Sequence, residues 1–186
     1  MVRKDGPRAR LRPASGQAVA QQAPVVVRGD DRRCQVSGVF HRAVDGTHRA
    51  SALDGSHLPG RYSAAGQPTL YLSNSPEGVA AAMVAHGGAR DNLTVLAFSV
   101  RDQGIVDLRD PAALRAAGVD LQDAVAPWQD VVTAGGVPSS WTVRRRLEDL
   151  GGQGMIDPSR TQPGLWHLVL FRWSMENAAR VEPLRP

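Results

Sequence analysis

The stretch Pro68-Thr69-Leu70-Tyr71-Leu72-Ser73-Asn74-Ser75-Pro76-Glu77 turns a strand into a helix with almost no loop between them. Leu70, Tyr71 and Leu72 form a short apolar run of strand type. Ser75 is a good N-cap, Pro76 has the fixed φ of a first helical residue, and Glu77 complements the positive end of the helix dipole. The helix is expected to run through Ala80 to Met83 and to end near His86-Gly87-Gly88. A chain built this way carries strands and helices in one domain.

The flanking sequence fits that frame. Val36 to Ala43 reads as a first strand, Leu93 to Val100 as a third and Gly104 to Leu108 as a short fourth. Residues 44–67 form a long glycine-rich loop, and loops of that length are usually functional or partly disordered. Asp110-Pro111 opens a short helix that stops at Gly118. Residues 119–138 are expected to be mostly loop. The clearest amphipathic helix follows, capped by Ser139 or Ser140, with Val143, Leu147 and Leu150 on one face and Arg144, Arg145 and Glu148 largely off it. Gly154 to Asp157 and Leu165 to Arg172 read as the last strands. Strands and helices alternate irregularly, so the expectation is a single mixed α+β domain and not a regular doubly wound sheet.

Charge divides the chain. Residues 1–28 carry six basic side chains against Asp5, a net +5, so the remainder sums to −1 within the overall +4. Residues 1–34 are rich in Gly, Ala, Gln, Pro and Arg and are expected to be a disordered basic tail, with the ordered domain at 35–186. The basicity belongs to the tail, so the domain lacks the footprint of a nucleic-acid binder. No apolar run reaches the roughly 18–20 residues of a membrane span, and no signal-peptide core follows the basic N-terminus. The expectation is a soluble cytoplasmic protein. The lone Cys34 excludes a disulfide framework, and it reads as a boundary residue and not a nucleophile.

Familiar chemical motifs are absent. There is no dinucleotide-binding glycine fingerprint, no P-loop and no nucleophile elbow. The five histidines, His41, His48, His57, His86 and His167, make no metal pair and read as surface or packing residues, with His57 the exception because of its loop. The candidates lie in three separated segments. Phe40-His41-Arg42 precedes Leu58-Pro59-Gly60-Arg61-Tyr62, and an Arg can hold a diphosphate bidentately where Lys cannot. The strand-to-helix segment supplies Tyr71 and Glu77. Ile156-Asp157-Pro158-Ser159-Arg160 leads into Trp166-His167-Leu168-Val169-Leu170-Phe171. Singly, each has a bland explanation: a surface ion pair, a core tyrosine, a turn serine beside proline.

In order, these segments resemble the RES domain over roughly residues 38–173. The family's first-strand Arg corresponds to Arg42 and its glycine-arginine-aromatic loop to Gly60-Arg61-Tyr62. Its strand-to-helix motif corresponds to Thr69 to Glu77 and its D-L strand end to Asp107-Leu108. Its proline-serine turn corresponds to Gly154 to Ser159, and its closing apolar strand to His167 to Phe171. The resemblance implies a strongly bent central sheet like that of ADP-ribosyltransferase toxins. It implies an enzyme that attacks the nicotinamide–ribose bond of NAD+ by hydrolysis or phosphorolysis, without a metal, and a toxin restrained by an Xre-type antitoxin. It further implies that Arg42 and Arg61 grip phosphate beside Gly60, and that Tyr62 or Tyr71 shapes the nicotinamide–ribose pocket. Ser159, or Ser139 or Ser140, would hydrogen-bond ribose or amide. Arg61, Tyr71, Ser159 and Glu77 are the expected catalytic set.

One position departs from the pattern. The family's Glu falls five residues after the Glu of S-P-E, which here is Ala82. Glu77, Asp54 or Asp157 could substitute, or water or phosphate could react without a carboxylate. The alternatives are a catalytically silent nucleotide- or partner-binding module and a protein-directed ADP-ribosyltransferase.

Overall fold

The computed structural model of the chain describes residues 23–30, 32–85 and 92–185. Strands β1 (Val25–Arg28) and β2 (Cys34–Asp45) come first, then a 3-10 turn (Gly46–Ser51), β3 (Leu70–Ser73), α1 (Pro76–Ala85) and β4 (Leu93–Asp107). Four helices follow: α2 (Pro111–Ala117), α3 (Leu121–Val125), α4 (Gln129–Thr133) and α5 (Ser139–Asp149). Strands β5 (Gly154–Pro158), β6 (Trp166–Leu170) and β7 (Arg180–Pro183) finish the chain.

All seven strands belong to one sheet in the order β1-β2-β3-β6-β5-β4-β7, with β2 also paired to β4. That extra pairing closes a ring of five strands, β2-β3-β6-β5-β4. A sheet closed on itself must bend strongly, as expected for this α+β fold. Only β4–β5 is parallel; the other pairings are antiparallel. Residues alternate between the two faces of each strand. Phe40, Leu70, Leu72, Phe98, Ile105, Ile156, Leu168 and Leu170 form the core inside the ring. Tyr62, Val106, Met155, Val169 and Phe171 face the other way and pack with Ala113, Ala117, Ala124, Val143 and Leu147 of the helices.

Several elements differ from the sequence reading. Val25 to Arg28, expected within the disordered tail, form β1 against Cys34 to Ser37. Three consecutive valines favour a strand, and β2 offers them a free edge. The close approach needs Gly38, at φ +139°, where a Cβ would lie 2.6 Å from Pro24 Cα. Residues 1–22 of that tail, and the expected helix end at His86-Gly87-Gly88, lie outside the described residues. Leu93 to Asp107 is one strand of 15 residues and not two. The polar Arg101 and Asp102 keep pairing with Ser37 and Val36, and a register shift beside Cys34 absorbs the irregularity. The expected loop at 119–138 holds α3, capped by Asp120, and α4. Ser75 does cap its helix, accepting from Gly78 N at 3.1 Å. Neither Ser139 nor Ser140 caps α5, because both hydroxyls donate to distant carbonyls instead.

Candidate active site

The cleft lies on the outer face of the sheet, where the helices stop covering it. Pairing registers align His41 of β2 with Ser73 of β3, Ser73 with His167 of β6, and His167 with Asp157 of β5. A row of four polar residues therefore crosses four strands. On the same face, two residues earlier or later along each strand, sits the apolar row Tyr71, Val169 and Met155. All four polar residues line a cleft of about 400 Å³, within the range of small-molecule sites. Leu58, Pro59, Val79, Ala81 and Met83 supply its apolar wall, and Trp128 and Gln129 reach it from the start of α4.

The loop Gly60-Arg61-Tyr62 forms one side of the cleft. Helix α5 holds its backbone through three successive carbonyls. Trp141 Nε1 donates to Gly60 O at 2.9 Å, Ser140 Oγ donates to Arg61 O, and Arg144 Nη1 donates to Tyr62 O at 3.1 Å. Arg144 is itself buried and also donates to Thr69 Oγ1 at 2.6 Å. Its guanidinium lies 4.7 Å from the Phe171 ring centroid and pairs with Glu148 at 3.0 Å. The expectation that Arg144 lies off the buried face fails for this reason: its charge is satisfied by carbonyls, a carboxylate and a ring. Gly60 is required by proximity, since a Cβ there would sit 2.8 Å from Tyr71 Oη.

Three side chains of this region converge. Arg61 Nη1 donates to Ala126 O at 2.7 Å, at the end of α3. Burial lowers the Arg61 pKa, opposed by Tyr62 and Asp157 nearby. Tyr62 is fully buried, and its hydroxyl lies 2.8 Å from Asp157 Oδ1 and 3.1 Å from Ala124 O. Burial pushes the Asp157 carboxyl up to about 6, against the Tyr62 hydrogen bond and the Arg61 charge, which lower it. Tyr71 Oη accepts from Tyr62 N at 3.2 Å and lies 3.3 Å from Ser63 Oγ. These bonds fix the ring on the cleft wall.

Of the remaining expected residues, Arg42 and Ser159 line the same cleft. Arg42 Nη1 donates to Ala52 O at 2.6 Å, and Ser159 Oγ accepts from Gln162 N at 3.3 Å in its turn. Ala82 also lines it. Two expectations are corrected. Glu77 is exposed at the helix start outside the lining, its pKa lowered by its own backbone N–H and then by Ser75. It serves the helix end. Ser140 is buried beneath the loop it holds and has no face on the cleft. Asp54 is exposed and lies outside the lining. Asp157 is thus the cleft carboxylate among the described residues.

The polar row was hidden in the sequence. His41 and His167 read as packing residues, yet both reach the cleft. Ser73 Oγ lies 3.0 Å from His167 Nδ1. His41 is buried, and its Nδ1 has no hydrogen-bond partner among the described residues. Burial lowers the pKa of both imidazoles, with Glu77 opposing at His41. Alternation along β3, β5 and β6 signals Ser73, Asp157 and His167 as face-mates of Tyr71, Met155 and Val169, but only pairing joins them. No group of His, Cys, Asp and Glu among the described residues is arranged to hold a metal, and no helix among them is long and apolar enough to cross a membrane.

No curated protein matches the sequence. Among solved structures, the M. tuberculosis MbcT–MbcA toxin–antitoxin complex is similar to this chain at TM-score 0.55 and 18% identity, over 83% of this chain and 87% of that one. At that identity the likeness concerns the fold. The RES domain family model matches residues 38–186, a span that holds the loop, the polar row and the serine turn, and the chain therefore belongs to the RES domain family.

Proposed function

We propose that this RES-domain protein is a toxin that binds NAD+ in the cleft and breaks its nicotinamide–ribose bond. The observation that carries this reading is the convergence of Arg61, Tyr62, Tyr71, Asp157 and Ser159, from three separated segments, on one cleft. Cleavage of this bond builds positive charge on the ribose while nicotinamide leaves neutral. The protein must grip the dinucleotide, enclose the nicotinamide and set negative charge near the ribose. Arg61 commits Nη1 to the protein and offers its other nitrogens to the diphosphate, with Arg42 alongside. Tyr71 and the apolar wall enclose the nicotinamide end. Asp157, ionised above about pH 6, supplies the charge that Ala82 does not. Ser159 hydrogen-bonds ribose or amide.

The toxin reading carries a partner with it. The similar solved structure is a toxin bound to its antitoxin, which supports an antitoxin for this chain; we assign it to the Xre type, acting in the cytoplasm. A small helix-turn-helix protein encoded next to this chain, neutralising it on co-expression, is the expected finding. The catalytic reading is tested by incubating purified protein with NAD+, with and without phosphate, and measuring free nicotinamide. Release dependent on Arg61 supports it, and phosphate dependence separates phosphorolysis from hydrolysis. No release under either condition overturns it and leaves the second reading, a nucleotide-binding module, which Ala82 on the cleft wall favours. Transfer of labelled ADP-ribose to lysate proteins would identify a protein acceptor.

A further inference from the structure

The carboxylate missing at Ala82 leaves open which group takes a proton from the attacking acceptor. Asp157 spends one oxygen on Tyr62 at 2.8 Å. The neighbouring member of the polar row is free to act. His167 lines the cleft, and its Nδ1 is held by Ser73 Oγ at 3.0 Å. A role as base requires the tautomer in which Nδ1 donates to the serine oxygen, because Nε2 then keeps its lone pair. Ser73 is buried and sits in register with His167 on one side and His41 on the other, so the imidazole is oriented by a rigid strand pair.

We infer that His167 is the proton acceptor of this cleft, taking a proton from the water that attacks the ribose. The inference rests on the NAD+ reading above. Water oxygen forms a bond to C1′ of the nicotinamide ribose as the C1′–N bond breaks, and that electron pair leaves with neutral nicotinamide. The water proton passes to His167 Nε2 and then to solvent, giving ADP-ribose, nicotinamide and one proton. Burial lowers the pKa of His167 and keeps the ring neutral near pH 7, as a base requires. The groups facing it are Asp157 on β5 and Ser73 on β3. His41 lies one strand further along the row, with Glu77 acting on it from α1. Asp157 lies opposite His167 in the β5–β6 register, on the same face of the sheet.

An anionic acceptor needs no base, which separates this role from a packing role. In phosphate-free buffer, His167→Asn is expected to hydrolyse NAD+ at least about 100-fold more slowly than wild type. Azide, which attacks C1′ without losing a proton, is expected to restore nicotinamide release in the variant and to add little to wild type. No nicotinamide from wild type in phosphate-free buffer overturns this inference, and the NAD+ reading falls with it only when added phosphate gives no release either. An active wild type with an equally active His167→Asn overturns this inference alone, as does a loss that azide does not restore. If circular dichroism shows His167→Asn unfolded, Ser73→Ala takes its place. A smaller azide-restored loss is expected there, and unchanged hydrolysis overturns the inference.

Discussion

Tyr62 and Asp157, 95 positions apart in the chain, are joined by a hydrogen bond of 2.8 Å beneath the cleft. The bond ties the Gly60-Arg61-Tyr62 loop to the end of β5 and orients the carboxylate. Both residues are buried, so each needs the other: an unsatisfied buried polar group costs about 1–3 kcal/mol. Tyr62→Phe is expected to destabilise the fold by about that amount, because Asp157 is left without its donor. It is also expected to raise the Asp157 pKa above its present value of about 6, since a hydrogen bond that favoured the charged form is lost. Urea unfolding at pH 7 and a carboxyl NMR titration check the two effects.

Asp157 also makes stability depend on pH in a fixed direction. Its folded pKa is raised from 3.8 to about 6, so between those values the folded state holds a proton that the unfolded chain has lost. The associated stability is complete below about pH 4 and falls as pH rises through about 6. Asp157→Asn removes this dependence. The variant is expected to gain about 2–3 kcal/mol relative to wild type between pH 4 and pH 8. Thermal melts of both proteins across that range check it; a constant difference in Tm would contradict the burial of this carboxyl. The same substitution is expected to lower nicotinamide release.

Arg61 is placed to use its planar fork. One Nη is held by Ala126 O at 2.7 Å, which aims the remaining nitrogens. Arg61→Lys keeps the charge and loses the bidentate geometry. NAD+ affinity, followed by titration calorimetry, is expected to fall about tenfold or more, with Tm changed little. Gly60→Ala tests the loop from the other side, since the added Cβ would sit 2.8 Å from Tyr71 Oη and 3.0 Å from Ser63 Oγ. Overpacking of this kind costs about 1–3 kcal/mol, and it is expected to displace Tyr71 and raise KM.

What the sequence made legible follows from how local each signal is. Ser75 caps α1 through Gly78, three residues on, so that junction can be read directly. Arg61, Tyr71 and Ser159 lie in short ordered motifs, and the structure gathers all three at one cleft. His41, Ser73 and His167 were opaque, because β6 lies between β3 and β5 in the sheet while lying near the end of the chain. A lone histidine on a strand reveals nothing until its neighbours across the sheet are known. Ser140 departs from its expected role for a related reason. A serine at a helix start has a local use as a cap, and here a distant carbonyl, Arg61 O, takes the hydroxyl instead. β1 was lost in a composition of glycine, proline and arginine, although Val25 to Val27 alone suffice for a strand once an edge is available.

Arg144 links α5 to the site without touching the cleft. It donates to Tyr62 O, Thr69 Oγ1 and Pro68 O and pairs with Glu148, all from a buried position. Arg144→Met fills similar volume but leaves those acceptors unsatisfied and Glu148 half-buried without its partner, a loss of about 3–5 kcal/mol. Arg144→Lys restores the charge but reaches fewer of the acceptors, so an intermediate stability is expected. The functional consequence is sharper. The carbonyls of Gly60, Arg61 and Tyr62 are held by Trp141, Ser140 and Arg144 in turn, so releasing one loosens the backbone that aims Arg61. At a temperature where Arg144→Lys remains folded, KM for NAD+ is expected to rise several-fold while kcat changes little, because in the proposed function the loop grips substrate and the substitution lies outside the polar row on the sheet. A fall in kcat at unchanged KM would show instead that α5 positions the reacting end of the cleft.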